Sequence, residues 1–205
     1  MMFLNTDKVL FTFAHADDES ISCAGLMHKL LKQGVRVYAK WFTINEERSK
    51  ELLNAIHVLE KSSGKNLESV EFLYYPDTNL VSHKYEIKDL IENFIKENSI
   101  THSISHCADT HPDHVTLKEA NEMAGRYIST FEFETPNAYN FNPSFFVELT
   151  EEEVQLKIEM MKCHTSQNVK NNNFYIDKIM AMSKFRGMAC YTDYAEAYFP
   201  KRIKI

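Results

Sequence analysis

Short apolar segments alternate with amphipathic segments throughout the first 130 residues, and this alternation restricts the fold more than any other feature. The first segment, residues 9–14, is almost continuously apolar, which is typical of a strand covered on both faces of a parallel sheet. A segment with apolar residues at helical spacing follows it and stops at Gly34, a residue that favours helix ends. Because this succession occurs four times, we predict an α/β fold, a Rossmann-like three-layer sandwich with a mostly parallel sheet.

The same periodicities set the boundaries of the predicted elements along the whole chain. The predicted strands are residues 9–14, 35–41, 70–75, 100–106 and 145–149. The predicted helices are residues 21–31, 46–61, 87–95, 115–128, 150–163 and 175–186. A chain of 205 residues without an internal repeat or a low-complexity linker predicts a single domain that spans residues 1–205.

The composition narrows the classes of partner and location. The net charge is −6 and no large basic patch occurs, which argues against a nucleic acid partner. The chain has no signal-peptide pattern and no apolar run near the roughly 20 residues of a membrane helix, so we expect no transmembrane segment. Its four cysteines lack C-x-x-C spacing, which favours a reducing cytoplasm. The apolar content leaves a homo-oligomer open.

Histidines and an acidic residue follow three of the predicted strands. His15 comes directly after the first strand, Asp77 after the third, and His111 and His114 after the fourth. In an open α/β sheet the carboxyl ends of the strands meet at one edge, where ligands bind. We therefore expect these side chains to lie together in a functional site.

The types and spacing of these residues point to a metal-dependent hydrolase. His15 and Asp18 lie three residues apart at a turn into a helix, so both can face one ion, and His114 can complete the set from the opposite loop. Two imidazoles and one carboxylate with an open fourth position are typical of catalytic Zn²⁺, and these ligands suit Fe²⁺ as well. Asp17, beside the ion, is then the predicted general base for the attacking water.

Two further residues of the second motif complete the predicted chemistry. His111 can donate a proton to the leaving amine, and Asp113 can hold a ring nitrogen of His111 and keep the ring cationic. Each motif also has a purely structural interpretation. The acidic residues 17–19 can cap a helix, and Pro112 after His111 is a favourable helix start. The position of both motifs after strands favours the functional interpretation.

Several segments resemble, in the same order, the motifs of the LmbE-like or PIG-L-type N-acetylglucosaminyl deacetylases. The family's A-H-P-D-D-E and H-P-D-H motifs correspond to residues 14–19 and 111–114. Further matching segments, which extend the resemblance over most of the chain, are residues 48–51, 72–77, 162–167, 186–187 and 194–196. The proline of the family's first motif is Ala16 here, a change that removes a backbone restriction but no ligand atom.

The resemblance implies hydrolytic removal of acetyl from an N-acetylglucosamine-type amino sugar, an attack on a linear amide bond that gives acetate and a free amine. It implies the zinc ligands and the base named above, with His111 as the acid or charge stabiliser. It adds Arg48, for a charged or polar group, and Asp77, for sugar hydroxyls, as substrate-binding residues. The roles of His164 and Gln167 stay open, as does that of Glu196 in the closing segment.

Two other functions stay open at this point. One is a one-metal hydrolase of a different bond, such as a phosphoester, although such enzymes often use two metals and the sequence offers one clean ligand set. The other is non-catalytic sugar binding with a retained metal site. Asp17 argues against this second alternative, because a binding protein needs no base at that position.

Overall fold

The computed structural model describes residues 3–172 and 174–204, which form one mixed sheet with helices on both faces. The strands are β1 (Lys8–His15), β2 (Arg36–Thr43), β3 (Ser69–Phe72), β4 (His102–His106), β5 (Ser129–Phe133), β6 (Phe145–Leu149) and β7 (Tyr194–Arg202). The helices are α1 (Asp18–Ser22), α2 (Ala24–Lys32), α3 (Glu46–Ser63), α4 (Lys84–Asn98), α5 (Pro112–Ala124), α6 (Glu151–Cys163), α7 (Thr165–Lys170) and α8 (Phe174–Cys190). None of these helices combines the length and apolarity that crossing a bilayer requires.

The strands of this part of the chain lie in the order β3-β2-β1-β4-β5-β7-β6. The first five strands in this order pair in parallel, with β1 between β2 and β4. In contrast, β7 runs antiparallel to both β5 and β6. This arrangement confirms the predicted Rossmann-like α/β sandwich with a mostly parallel sheet. The direction of chain progression reverses between β1 and β4, and such a switch point opens a crevice at the carboxyl ends of the strands.

The central position of β1 explains why the first apolar segment is continuous. Phe11 and Phe13 on one face belong to a core shared with α2, α3 and α6. Leu10 and Ala14 on the other face belong to a second core shared with α4 and α5. Because helices cover both faces, residues 9–14 are all buried, and all of them except Thr12 are apolar. His15 is the last residue of this strand, so the core places it at the crevice.

The structure also contains elements that periodicity does not predict. The helix predicted at 115–128 is α5, which ends before Gly125 and leaves a short turn to β5. Proline at 200 and several charged residues obscure the alternation of β7, yet this strand pairs with two neighbours. The helix predicted at 21–31 is divided into α1 and α2 at Cys23, whose φ of −129° is not helical.

A buried carboxylate on β7 holds the start of α2. Glu196 accepts hydrogen bonds from the backbone N–H groups of Gly25 (2.9 Å) and Leu26 (2.8 Å) and from the hydroxyl of Tyr198 (2.8 Å). Its charge is paired with the buried Lys157 of α6. These bonds satisfy amides that would otherwise lack partners at a helix N-terminus. They tie α2 to the sheet and give Glu196 the structural role that the sequence left open.

We expect Gly25→Ala to lower the free energy of unfolding by about 1–3 kcal/mol, because the added methyl group overpacks this contact. A Cβ at this position would overlap Leu149 Cδ2 and lie 3.0 Å from Glu196 Oε1. Urea denaturation measures the effect. Lys32→Ala, an exposed change in the same helix, is the control and should stay within about 0.5 kcal/mol. Equal stability of the two variants would mean that α2 is not tightly packed here.

Candidate active site

A cleft of about 570 Å³ lies at the carboxyl ends of the parallel strands. The loops after β1, β2, β3 and β4 all contribute to its wall, and α7 and α8 contribute Gln167, Lys170 and Tyr175. The lining includes all the predicted site residues except Asp113: His15, Asp17, Asp18, Arg48, Asp77, His111 and His114. The expectation that separate segments converge at this edge therefore matches their positions in the structure.

Three predicted ligand side chains bring their donor atoms close together. His15 Nδ1 lies 3.0 Å from His114 Nε2, and the Asp18 carboxylate lies 3.6 Å from the former and 3.5 Å from the latter. A tetrahedral ion with bonds of about 2.0–2.1 Å holds its ligand atoms about 3.3–3.4 Å apart. The donor set therefore fits a single metal ion. Overlapping groups of potential ligands at the same place are His15, His111 and His114; Asp18, His106 and His114; and His15, Asp77, His111 and Asp113.

Carboxylates also lie near the other ring nitrogen of each predicted histidine ligand, Nε2 of His15 and Nδ1 of His114. His15 Nε2 is 3.3 Å from Asp77 Oδ1 and 3.5 Å from Asp113 Oδ2. His114 Nδ1 is 3.0 Å from Asp109 Oδ2, although the ring N–H is not aligned for a hydrogen bond. Such outer carboxylates orient metal-binding imidazoles and raise their basicity.

The charges in the cluster favour an ionised carboxylate at Asp18. Burial raises the pKa of Asp18, but the neighbouring His114, His106 and His15 lower it far below its usual value. Burial likewise lowers the pKa of His15, yet hydrogen bonds to Asp113, Asp18 and Asp77 raise it well above the usual value. An anionic Asp18 is the form that can act as a ligand.

The side chain of Asp17 does not cap the helix that follows it. The residue precedes α1 with φ 143° and ψ −25°, and its side chain makes no cap hydrogen bond to the helix. Burial raises the pKa of its carboxyl group to about 6, although Arg48 opposes the shift. A carboxyl group with this pKa is ionised at neutral pH and is a stronger base than an exposed aspartate.

Arg48, the residue expected to contact the substrate, lines the cleft and also pairs with Asp17. Its Nη2 lies 3.3 Å from Asp17 Oδ1 and also donates to the carbonyl oxygen of Ala16. Arg48 therefore holds the loop between β1 and α1 as well as lining the cleft. The guanidinium also balances part of the negative charge of the site.

The Asp113 carboxylate lies near His111 but makes no hydrogen bond to its ring, the partner that the sequence suggested. We expected it to hold a ring nitrogen of His111. Instead, its oxygens accept the N–H groups of Thr78 (2.7 Å) and Leu80 (3.0 Å), so it supports the loop after β3. The backbone N–H of Asp113 donates to His111 Nδ1 (3.3 Å), and burial with the nearby His15 lowers rather than raises the pKa of His111. The expected cationic ring is thus not favoured.

Two residues of the site escaped the sequence-based prediction. Asp109 is fully buried behind His114 and accepts the N–H of His111 (2.7 Å) and the hydroxyl of Thr135. Its position in the same loop as the second motif is the sequence feature that could have indicated a role in the site. His106 ends β4, accepts the N–H of Ala14 at Nε2 (2.9 Å) and stacks on His114 with ring centroids 4.0 Å apart. Nothing in its sequence environment distinguished it from a core histidine.

Comparisons with known proteins identify the family. Residues 10–124, more than half of the chain, match the family described as PIG-L, GlcNAc-PI de-N-acetylase. The chain belongs to this family. No curated protein sequence matches the chain.

Solved structures support the same fold at low sequence identity. A conserved protein from Thermus thermophilus superposes with a TM-score of 0.79 at 19% identity, covering 99% of this chain and 97% of that one. N,N′-diacetylchitobiose deacetylase from Pyrococcus horikoshii has a TM-score of 0.75 at 19% identity, with coverage of 94% and 82%. GalB, the 4-carboxy-2-hydroxymuconate hydratase from Pseudomonas putida, has a TM-score of 0.71 at 15% identity, with 98% coverage of each chain. One fold therefore carries more than one activity.

We expect Asp109→Asn to weaken the binding of a divalent metal ion to the predicted ligand set by about 10–100-fold, because it removes the negative charge beside His114 Nδ1. Competition with a chromophoric chelator measures the affinity. The same substitution at Asp89, an exposed residue of α4, is the matched control and should leave the affinity unchanged. Equal affinities in both variants would show that His114 needs no carboxylate behind it.

Proposed function

We propose that this protein is a metal-dependent N-deacetylase that hydrolyses the acetamido group of an N-acetylglucosamine-type sugar to acetate and a free amine. The observation that carries this proposal is the convergence of the donor atoms of His15, Asp18 and His114 beside the buried carboxylate of Asp17. Membership in the GlcNAc-PI de-N-acetylase family supports the reaction class. The similar fold of a chitobiose deacetylase agrees with it.

Zn²⁺ is the proposed metal, with His15, Asp18 and His114 as its ligands, and Fe²⁺ suits the same donor set. When bound, such an ion supplies a Lewis acid that lowers the pKa of water to about 7 and stabilises negative charge on a carbonyl oxygen. The buried, anionic Asp18 and the supporting carboxylates of Asp109 and Asp113 suit a divalent cation, because they concentrate negative charge around the donor atoms.

Asp17 is the proposed general base. Its carboxylate takes a proton from the water that attacks the acetyl carbonyl carbon. Breaking the C–N bond then requires a proton on the leaving nitrogen, which protonated Asp17 can return. Arg48, 3.3 Å away, keeps the carboxylate directed into the cleft.

His111 is the proposed stabiliser of charge on the reacting group. Because its Nδ1 accepts the backbone N–H of Asp113, the remaining proton of a neutral ring lies on Nε2. That N–H can donate to the oxygen on which negative charge develops. This role uses the ring as a hydrogen-bond donor and does not need the cationic form.

The rim of the cleft has groups that suit a sugar. The Asp77 side chain is 62% exposed, and we propose that it accepts hydrogen bonds from sugar hydroxyls. Arg48, Gln167 and Tyr175 also line the cleft and can contact polar or apolar faces of the substrate. A volume of about 570 Å³ falls within the usual range for small-molecule sites.

We expect Asp17→Asn to lower kcat by roughly 10²–10⁴-fold with little change in KM or metal content, because it removes the base but keeps the side-chain size. The assay is acetate release from free N-acetylglucosamine, its simple and nucleotide-linked glycosides, and its oligosaccharides.

Asp89→Asn is the control for this experiment and should keep full activity. Full turnover by metal-loaded Asp17→Asn would contradict the assignment of the base. Binding of these sugars by the metal-loaded wild type, without acetate release from any of them, would favour the non-catalytic alternative.

Removal of the metal is a separate test. We expect a chelator to abolish acetate release and one equivalent of Zn²⁺ per chain to restore it, because the carbonyl loses its Lewis acid. Reconstitution with Fe²⁺ under anaerobic conditions, compared at equal occupancy, identifies the more active metal. Unchanged turnover by protein without detectable metal would reject metal dependence.

A further inference from the structure

Glu19 is the acidic residue of the first motif that the proposed chemistry does not use. We propose that Glu19 is a positioning residue, anchored by the buried His164, that holds Asp17 in the conformation in which its carboxylate can act as the base. This inference rests on the proposed function, since it assigns a role to Asp17. It goes further by connecting the cleft to a hydrogen-bonded network beneath it.

The backbone at Asp17 needs external support. A φ of 143° with ψ −25° lies outside the regions that L-residues adopt readily, and such conformations persist when surrounding contacts stabilise them. Only Ala16 and Asp17 connect β1 to α1, so the chain must turn sharply between two proposed metal ligands. The turn directs His15 and Asp18 to the metal position and Asp17 to the cleft.

Glu19 provides a direct contact to the strained residue. Its Oε2 accepts the backbone N–H of Asp17 at 3.1 Å. The same oxygen accepts the indole N–H of Trp41, on β2, at 3.1 Å. The oxygen that accepts the Asp17 N–H is therefore itself held in place by a hydrogen bond to the sheet.

The other oxygen of Glu19, Oε1, has separate hydrogen-bond partners. Oε1 accepts the Ser20 hydroxyl at 2.6 Å and lies 2.7 Å from Nε2 of His164, at the junction of α6 and α7. Glu19 and His164 are both completely buried. A carboxylate without access to water needs such partners, and removing one leaves an uncompensated group. Segments 145 residues apart in sequence thus converge on one carboxylate.

Another buried carboxylate allows positioning to be separated from simple structural support. Like Glu19, Glu196 is buried and accepts two N–H groups, both from the backbone in this case, and it pairs with a basic residue, Lys157. It is not among the residues that line the active-site cleft. Changes at Glu196 should therefore reduce stability without altering the reaction, whereas changes at Glu19 should act on the reaction through Asp17.

Two conservative substitutions at Glu19 separate the effect of side-chain length from the effect of side-chain charge. Glu19→Gln keeps an oxygen within reach of the Asp17 N–H but removes the charge, whereas Glu19→Asp keeps the charge and withdraws the oxygen by one methylene. We expect the glutamine variant to keep kcat within about threefold of wild type. We expect the aspartate variant to lose roughly 10–100-fold in kcat, with KM and one bound metal preserved, because small displacements of a reacting group are costly.

The measurements are steady-state acetate release, metal analysis and thermal denaturation of both variants, with Glu196→Gln and Glu196→Asp as matched controls. The controls should lower the melting temperature without reducing the kcat of the folded, metal-loaded protein. Crystal structures of the Glu19 variants give a readout that is independent of activity. The positive φ of residue 17 should persist in Glu19→Gln and relax in Glu19→Asp.

Several results would overturn the inference. These are full activity of both Glu19 variants, activity of Glu19→Asp with loss in Glu19→Gln, loss of metal from Glu19→Asp, or an unchanged φ at residue 17 in Glu19→Asp. Inactivity of the wild type on every acetylated sugar would instead count against the proposed function. In that case the crystal structures still decide whether Glu19 holds Asp17.

Discussion

The close packing of imidazoles and carboxylates at the end of β1 is the interaction on which the rest of the site depends. His15, Asp18 and His114 bring donor atoms to within 3.0–3.6 Å of one another in a place nearly shielded from water. Asp109 and Asp113 stand behind the two rings. A buried group of this kind is costly unless its charges are balanced, and the excess of carboxylates makes a cation the natural complement.

The fold creates the crevice in which this cluster lies, and the loops around the crevice carry the side chains that determine its chemistry. A central parallel strand between two neighbours leaves a crevice at its carboxyl end, and the loops after four strands meet there. The hydratase with a similar fold shows that this architecture does not select one reaction. In this chain, the buried carboxylate of Asp17 beside the three predicted ligands is the feature on which the proposal of amide hydrolysis rests.

The predicted ligands lie close together, as their positions after the strands led us to expect, and their role as ligands stays a prediction. His15, Asp18 and His114 belong to short motifs next to strands, so the sheet geometry brought them together as expected. The prediction for Asp113 failed because the role of its carboxylate depends on a distant partner. Asp113 follows His111 closely in sequence, but the loop after β3 offers its carboxylate two N–H groups that are better placed.

The amino-acid sequence by itself determined the order of strands and helices in the first part of the chain, the burial of β1 and the edge of the sheet that carries the site. These features follow from local periodicity, which records which face of each element is apolar. Only the tertiary structure decided the pairing of β5 with β7, the support of His114 by Asp109 and the contact between Glu19 and His164. Those partners are far apart along the chain, and a hydrogen bond or ion pair between them depends on packing that local periodicity does not record.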